Sequence, residues 1–152
     1  MYQKILVPID GSPTSESGLR EAIRIAQTTH GRLRLIHVVD ELSFAFTADA
    51  YSYHAGQLLD LVRKNGAEVL EHALGQVKAA GVEADTVLHE NLDRTVKQRV
   101  LDESLSWKAD LIVIGTHGRR GPSRLVLGSS AEGIMRGATV PVLLVRAPEG
   151  NA

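Results

Sequence analysis

Residues 115–130 read GTHGRRGPSRLVLGSS. From Leu111 to Ala131 there is no Asp or Glu, yet His117, Arg119, Arg120 and Arg124 all fall in that stretch. Six of the 14 glycines lie between Gly115 and Gly137. Those residue types suit an anion. Glycines let backbone N–H groups close on phosphate oxygens in a concave nest, and they tolerate positive φ. Ser129 and Ser130 stand where a helix begins, so their amides and hydroxyls can receive phosphate at the positive end of its dipole. The competing reading is a surface crossover whose glycines serve turns and whose arginines are solvated. Asp10, in Asp10-Gly11-Ser12-Pro13, is a second candidate. It would suit ribose hydroxyls or a magnesium ion, or act as an ordinary turn aspartate.

These residues need a scaffold, and the apolar pattern supplies one. Ile5-Leu6-Val7-Pro8-Ile9 is apolar on both faces, as in a strand buried within a parallel sheet, with Pro8 expected at its C-terminal end. Ser12, Pro13 and Glu16 start a helix, Leu19, Ala22, Ile23 and Ala26 give its buried face, and Gly31 is placed to end it. Residues 33–39 form a second strand. Residues 40–50, with Phe44 and Phe46, have no clear period and are read as an ordered loop. Leu58, Leu59, Val62, Val69, Leu70, Ala73 and Val77 mark a long helix. Residues 82–89 alternate like an edge strand, and Val96, Val100, Leu101 and Leu105 mark a third helix. Leu111-Ile112-Val113-Ile114 is a buried strand that feeds the glycine-rich loop. Ala131, Ile134, Met135 and Ala138 give a last helix, and residues 140–145 a last strand. The order β-α-β-α-β-α-β-α-β implies an α/β fold, a parallel sheet with helices on both faces. Ligands in such sheets bind beyond the strand C-termini where strand order reverses. If strands one and four are neighbours there, Asp10 and the Gly115 loop face each other.

Composition narrows the classes. A chain of 152 residues holds one ordinary domain, here residues 1–147, with 148–152 expected as a disordered tail. Cysteine is absent, which removes disulfides, thiol chemistry and Cys-ligated zinc, and fits a reducing compartment. The 17 basic and 18 acidic side chains nearly cancel, so no global field draws nucleic acid or anionic lipid. The apolar runs are too short for a signal peptide or a membrane span, so the expectation is cytoplasmic. No Gly-x-x-x-x-Gly-Lys-Ser/Thr or Gly-x-Gly-x-x-Gly run occurs, which argues against a Walker-type NTPase and a dinucleotide dehydrogenase. No Gly-x-Ser-x-Gly elbow occurs, and the six histidines show no metal-ligand pattern. No general base is evident. Trp107 reads as a packing residue.

The spacing Gly115-x-x-Gly118, nine residues, then Gly128-Ser129 matches the ATP-binding signature of the universal stress protein family. KILVPIDGS, LIHVVDE, ADLIVIGTHGRRG and PVLLVR agree with it, so the chain resembles that family over almost its whole length. The resemblance implies an open five-stranded parallel sheet of order 3-2-1-4-5 with ATP in the crevice. By position, Pro8, Asp10 and the backbone of Val38 would line the adenosine side. Ile114, Gly115, His117 and Gly118 would form the first part of the phosphate loop, and Gly128, Ser129 and Ser130 the second. Arg119 is added as a phosphate contact on charge alone. The resemblance implies ATP as the ligand, and magnesium at Asp10 would accompany it. Family ATP binders often carry a further Ser or Thr where this chain has Ala131, and Ser130 can partly compensate.

The last strand is apolar on both faces, yet the strand order puts it at an edge, which invites pairing with another chain. The resemblance agrees, since family members commonly dimerise there. Val140, Val142, Leu143, Leu144 and Val145 are therefore expected in a homodimer interface. The expected function is a dimeric ATP-binding sensing module of the stress response. A slow ATPase or phosphotransferase in the same crevice, or an interaction dimer without nucleotide, are the alternatives.

Overall fold

The computed structural model describes residues 1–39, 55–90, 93–116 and 127–148. Within them the chain runs β1 (Lys4–Pro8), α1 (Pro13–Thr29), β2 (Arg32–Val39), α2 (Ala55–Ala79) and β3 (Ala84–Glu90). It continues through α3 (Val96–Trp107), β4 (Leu111–Thr116), α4 (Ser129–Gly137) and β5 (Val142–Arg146). All four strand pairings are parallel, in the order β3-β2-β1-β4-β5. The fold is the α/β sheet that the residue order and the family resemblance imply. The loop reading of residues 40–50 lies outside the described residues, as does most of the expected tail.

Alternation along the strands builds two cores, one on each face of the sheet. Ile5, Val7, Leu33, Leu35, Leu111 and Val113 face α1 and α2, where Leu19, Ala22, Leu70, Ala73 and Val77 meet them. Leu6, Ile36, Ile112 and Ile114 face α3 and α4, where Val100, Trp107, Ala131 and Ile134 meet them. The central strands are thus apolar on both sides, whereas no residue of edge strand β3 is buried, and Asp85, Thr86 and Leu88 are exposed, so its burial is looser than the alternation implies.

Helix ends follow local chemistry. The Ser12 side chain accepts a bond from the Ser15 amide at 3.2 Å, and Pro13 opens α1. Thr95 and Gln98 form a reciprocal capping box on α3. The end of α1 departs from expectation: the left-handed residue is His30 (φ 57°), not Gly31. Gly31 is required by space. A Cβ there would sit 2.4 Å from the Tyr2 carbonyl oxygen. The last strand also starts later than expected, at Val142, so Val140 precedes it. Pro141 has no N–H for the ladder, and only its carbonyl takes part, accepting from the Ile112 amide at 3.0 Å.

Far from the loop ends, the start of the sheet is tied by Asp110. Its carboxylate accepts from the amides of Gln3 (2.8 Å) and Lys4 (3.0 Å). Trp107 is packed, 8% exposed, with Lys4, Arg32 and Arg34 within 4.7–5.7 Å of its ring. Arg34 forks onto Asp85 at 2.7 Å twice and reaches buried Glu103 at 2.8 Å. The Asp85 hydrogen bonds hold its guanidinium charged well above the usual arginine range, against the opposing effect of burial.

Candidate functional site

β1 and β4 are paired only at Ile5↔Leu111 and Leu6↔Ile112, whereas β1–β2 pairing continues to Pro8↔Ile36 and β4–β5 pairing to Thr116↔Arg146. The sheet therefore splits between its two central strands toward their C-terminal ends. That is also where successive connections leave in opposite directions, the position at which open α/β sheets take ligands. A cavity of about 760 Å³ fills the split, within the usual size of small-molecule sites.

The turn after β1 and the start of α4 both open onto it. On the β1 side, Pro8 ends the strand, and Ile9 is held to β2 by its amide on the Ile36 carbonyl at 2.8 Å. Asp10 then makes an Asx turn: its Oδ1 accepts from the Ser12 amide at 2.8 Å, and its own amide donates to Ser15 Oγ at 3.3 Å. The α1 N-terminus is thereby capped and faced by Asp10 and Glu16, so its positive end is already matched. On the β4 side the opposite holds. Gly128 is the N-cap of α4 and provides no side-chain cap. The first intrahelical bond runs from the Glu132 amide to the Gly128 carbonyl, so the amides before it have no partner within the helix. Glu132, the one acid in that turn, is drawn to Arg136 at 3.0 Å. Among the described residues the cavity thus has an acidic, hydrogen-bonded end at Asp10 and an electropositive end at α4 whose first amides have no partner.

Pro8, Asp10, Val38, Ile114, Gly115, Gly128, Ser129 and Ser130 all line this cavity. His117, Gly118 and Arg119 lie outside the described residues. The structure also brings in residues that sequence reading did not single out. Thr14 and Ser15 come from the first turn of α1, His37 from β2, Val62, Asn65 and Gly66 from α2, and Val96 from α3. Thr14 and Ser15 sit inside a helix-start pattern and Val62 and Val96 inside apolar periodicities, so no local signal separated them. His37 Nδ1 is 2.7 Å from the Ile9 carbonyl oxygen, and a carbonyl only accepts, so this nitrogen carries the proton. Gly66 leaves room for that ring: a Cβ would lie 2.7 Å from His37 Cδ2.

Several glycines of this region also serve packing, a purpose the sequence reading did not separate from phosphate contact. A Cβ on Gly115 would lie 2.0 Å from the Thr14 carbonyl oxygen, and one on Gly18 3.0 Å from the Gly115 amide nitrogen. This pair lets α1 lie directly on β4. A Cβ on Gly133 or Gly137 would meet Lys97 or Leu101 of α3, so these two serve helix packing. Gly128 has φ −56° and ψ 146°, open to any residue.

Asp10 is the one carboxylate among the described lining residues, and no group of three or more metal-ligating side chains occurs among the described residues. A magnesium ion fits here only where phosphates complete its shell, the way this ion is commonly held. His89, paired with Glu103 at 3.0 Å, and His72, bonded to Gln76, lie outside the cavity lining. No described helix is long and apolar enough to cross a membrane.

Known proteins resemble this chain in sequence and in fold. A universal stress protein of Methanocaldococcus jannaschii, MJ0531, is 33% identical over 149 residues, 98% of this chain and 85% of the relative. A solved universal stress protein family member from Burkholderia pseudomallei is 33% identical with a TM-score of 0.75, covering 95% of this chain and 96% of that one. A universal stress protein from Archaeoglobus fulgidus, solved in complex with dAMP, superposes with a TM-score of 0.67 at 21% identity, over 95% of this chain and 98% of that one. The sequence profile of the Universal stress protein family matches residues 1–146. With the split sheet and its strand order, that match places the chain in the universal stress protein family.

Proposed function

We propose that the chain is an ATP-binding module whose nucleotide lies in the β1–β4 split, with the sugar at Asp10 and the phosphates at the start of α4. One observation carries this reading: the uncapped amides of α4 and the Asx turn of Asp10 open onto the same 760 Å³ cavity. Unpaired amides at a helix N-terminus attract anions, and a carboxylate accepts from hydroxyls but repels phosphate. The cavity's polarity therefore orients a nucleotide one way only. Pro8, Val38 and Ile114 give the apolar walls that a base requires. The dAMP complex of the Archaeoglobus relative supports an adenine nucleotide as the ligand class. His117, Gly118 and Arg119 complete the phosphate loop on this reading, and magnesium joins Asp10 to the phosphates.

The protein works as a cytoplasmic homodimer joined along β5, whose outer edge has no strand beside it among the described residues. Unpaired ladder groups on an apolar strand favour such pairing. Calorimetry with ATP tests the site. The parent chain binds ATP, and Gly128→Val weakens binding, because it adds a side chain to a residue lining the phosphate end of the cavity; valine fits that backbone, so the chain still folds, with a modest loss of stability from the poorer N-cap. Equal affinity in the two proteins refutes the assignment.

A further inference from the structure

Lys97 stands in the first turn of α3, outside the glycine–serine pattern, and no hydrogen bond or ion pair engages its ammonium among the described residues. Its stem lies across α4. A Cβ on Gly133 would sit 2.4 Å from Lys97 Cδ and 3.4 Å from its Cβ and Cγ. Glycine inside a helix is disfavoured relative to alanine, so α4 gives up helix propensity where that stem passes. Gly133 follows Ser129 by four residues and Ser130 by three, which puts all three on one side of α4, with the serines a turn nearer the cavity. Helical side chains lean toward the N-terminus of their helix, and for α3 this is the cavity end, where the adjacent Val96 is a lining residue. Among the described lining residues there is no Lys or Arg, and the titratable ones are Asp10 and His37. A polyanion seated at α4 would have no fixed cation among those residues, and Lys97 stands next in sequence to one of them, Val96.

We propose that Lys97 is a phosphate-binding residue, reaching over Gly133 to the anion held by Ser129 and Ser130. The inference rests on the nucleotide reading above and adds to it a charge contributed by α3. The competing account is a lysine that merely buries its methylenes while its head stays in water. Lys97→Met separates the two, since it keeps the stem and removes the charge. Binding of ATP, AMP and adenosine is measured by calorimetry on the full chain at low and moderate salt. ATP is expected to weaken by roughly fivefold to tenfold in Lys97→Met, with a shallower salt dependence, as loss of one nearby charge requires. Adenosine affinity and the unfolding temperature of the free protein stay at parent values, and Lys97→Arg recovers ATP affinity. Gly133→Ala is the second probe. Its methyl displaces the stem, so the ratio of ATP to adenosine affinity falls in the parent and stays unchanged in the Lys97→Met background, whereas disturbed α3–α4 packing alone would lower both affinities in either background. If Lys97→Met keeps the parent ratio of ATP to adenosine affinity, the inference is overturned and the nucleotide site stands. If the parent chain binds neither ATP nor AMP, both fall together.

Discussion

Replacing Gly115 by alanine tests how the split in the sheet is built. The new methyl would lie 2.0 Å from the Thr14 carbonyl oxygen, 2.4 Å from the Thr14 carbonyl carbon and 2.8 Å from the Ser15 amide nitrogen, where ordinary contact begins near 3.4 Å. Every one of these atoms is backbone, so no rotamer change relieves the clash. Either α1 withdraws from β4 by well over an ångström or β4 bends. Withdrawal loosens Leu19, Ala22 and Ala26, all at most 1% exposed, from the core they share with Ile5, Val7 and Val113. Overpacking commonly costs ~1–3 kcal/mol, and with backbone on both sides the upper end applies, about 3 kcal/mol. For a domain of this size that lowers Tm by roughly 6–12 °C.

The assay is thermal unfolding without ligand, followed by fluorescence. Trp107 is the single tryptophan and is 8% exposed, so its emission reports loss of the fold. Gly75→Ala is the internal control. Gly75 is exposed within α2 with nothing within 4 Å of its Cβ position, so alanine there should raise Tm by roughly 1–4 °C through helix propensity. Two identical substitutions should thus shift stability in opposite directions. If Gly115→Ala unfolds at the parent temperature while only ATP binding changes, the packing argument is wrong and this glycine serves the ligand alone.

Asp110→Ala leaves the amides of Gln3 and Lys4 without their carboxylate acceptor and should cost about 1–3 kcal/mol, read as a fall in the urea midpoint at constant slope. Glu90 hydrogen-bonds Arg63 at 2.6 Å, and Arg63 holds its carboxyl below the usual range. A carboxyl depressed in the folded state contributes stability above its unfolded pKa and loses it as pH falls through the folded one. The Tm difference between the parent and Glu90→Gln should therefore be present near neutrality, shrink with added salt, and close as the pH falls below the usual glutamate range and through the lowered folded-state value. A difference undiminished in acid would contradict that assignment. Leu143→Lys on β5, where Leu143 is 36% exposed, should shift sedimentation from dimer to monomer while leaving ATP affinity intact.

Much of this architecture was legible in the residues. Strands such as Ile5-Leu6-Val7 and Leu111-Ile112-Val113 are apolar on consecutive positions because both faces are covered, and that pattern differs visibly from the half-wet β3. Asp10-Gly11-Ser12-Pro13 carries its turn, its cap and its first helical residue in four letters, and each forms as its chemistry dictates. Helix ends were less legible. A left-handed cap favours glycine but accepts histidine or lysine at modest cost, and this chain uses His30 and Lys108. Gly31, the residue that announced a cap, serves a tertiary contact instead.

The candidate site shows the same limit more sharply. A glycine in sequence states only that a Cβ is unwelcome; what would collide with it is a property of the folded chain. Gly115 is kept bare by the backbone of α1, Gly133 by the stem of Lys97, Gly137 by Leu101 and Gly66 by His37, and no spacing rule tells these from a phosphate contact. Yet the packing glycines bear directly on ligand binding. Gly115 and Gly18 let α1 lie on β4 at the mouth of the split, beside the turn that holds Asp10. Gly133 and Gly137 bring α3 against α4, which places Val96 and the Lys97 stem a turn from Ser129 and Ser130. A cluster of glycines around a helix start therefore selects for close approach of backbones in general. In this fold the same close approach builds the cavity walls and leaves the α4 amides facing it.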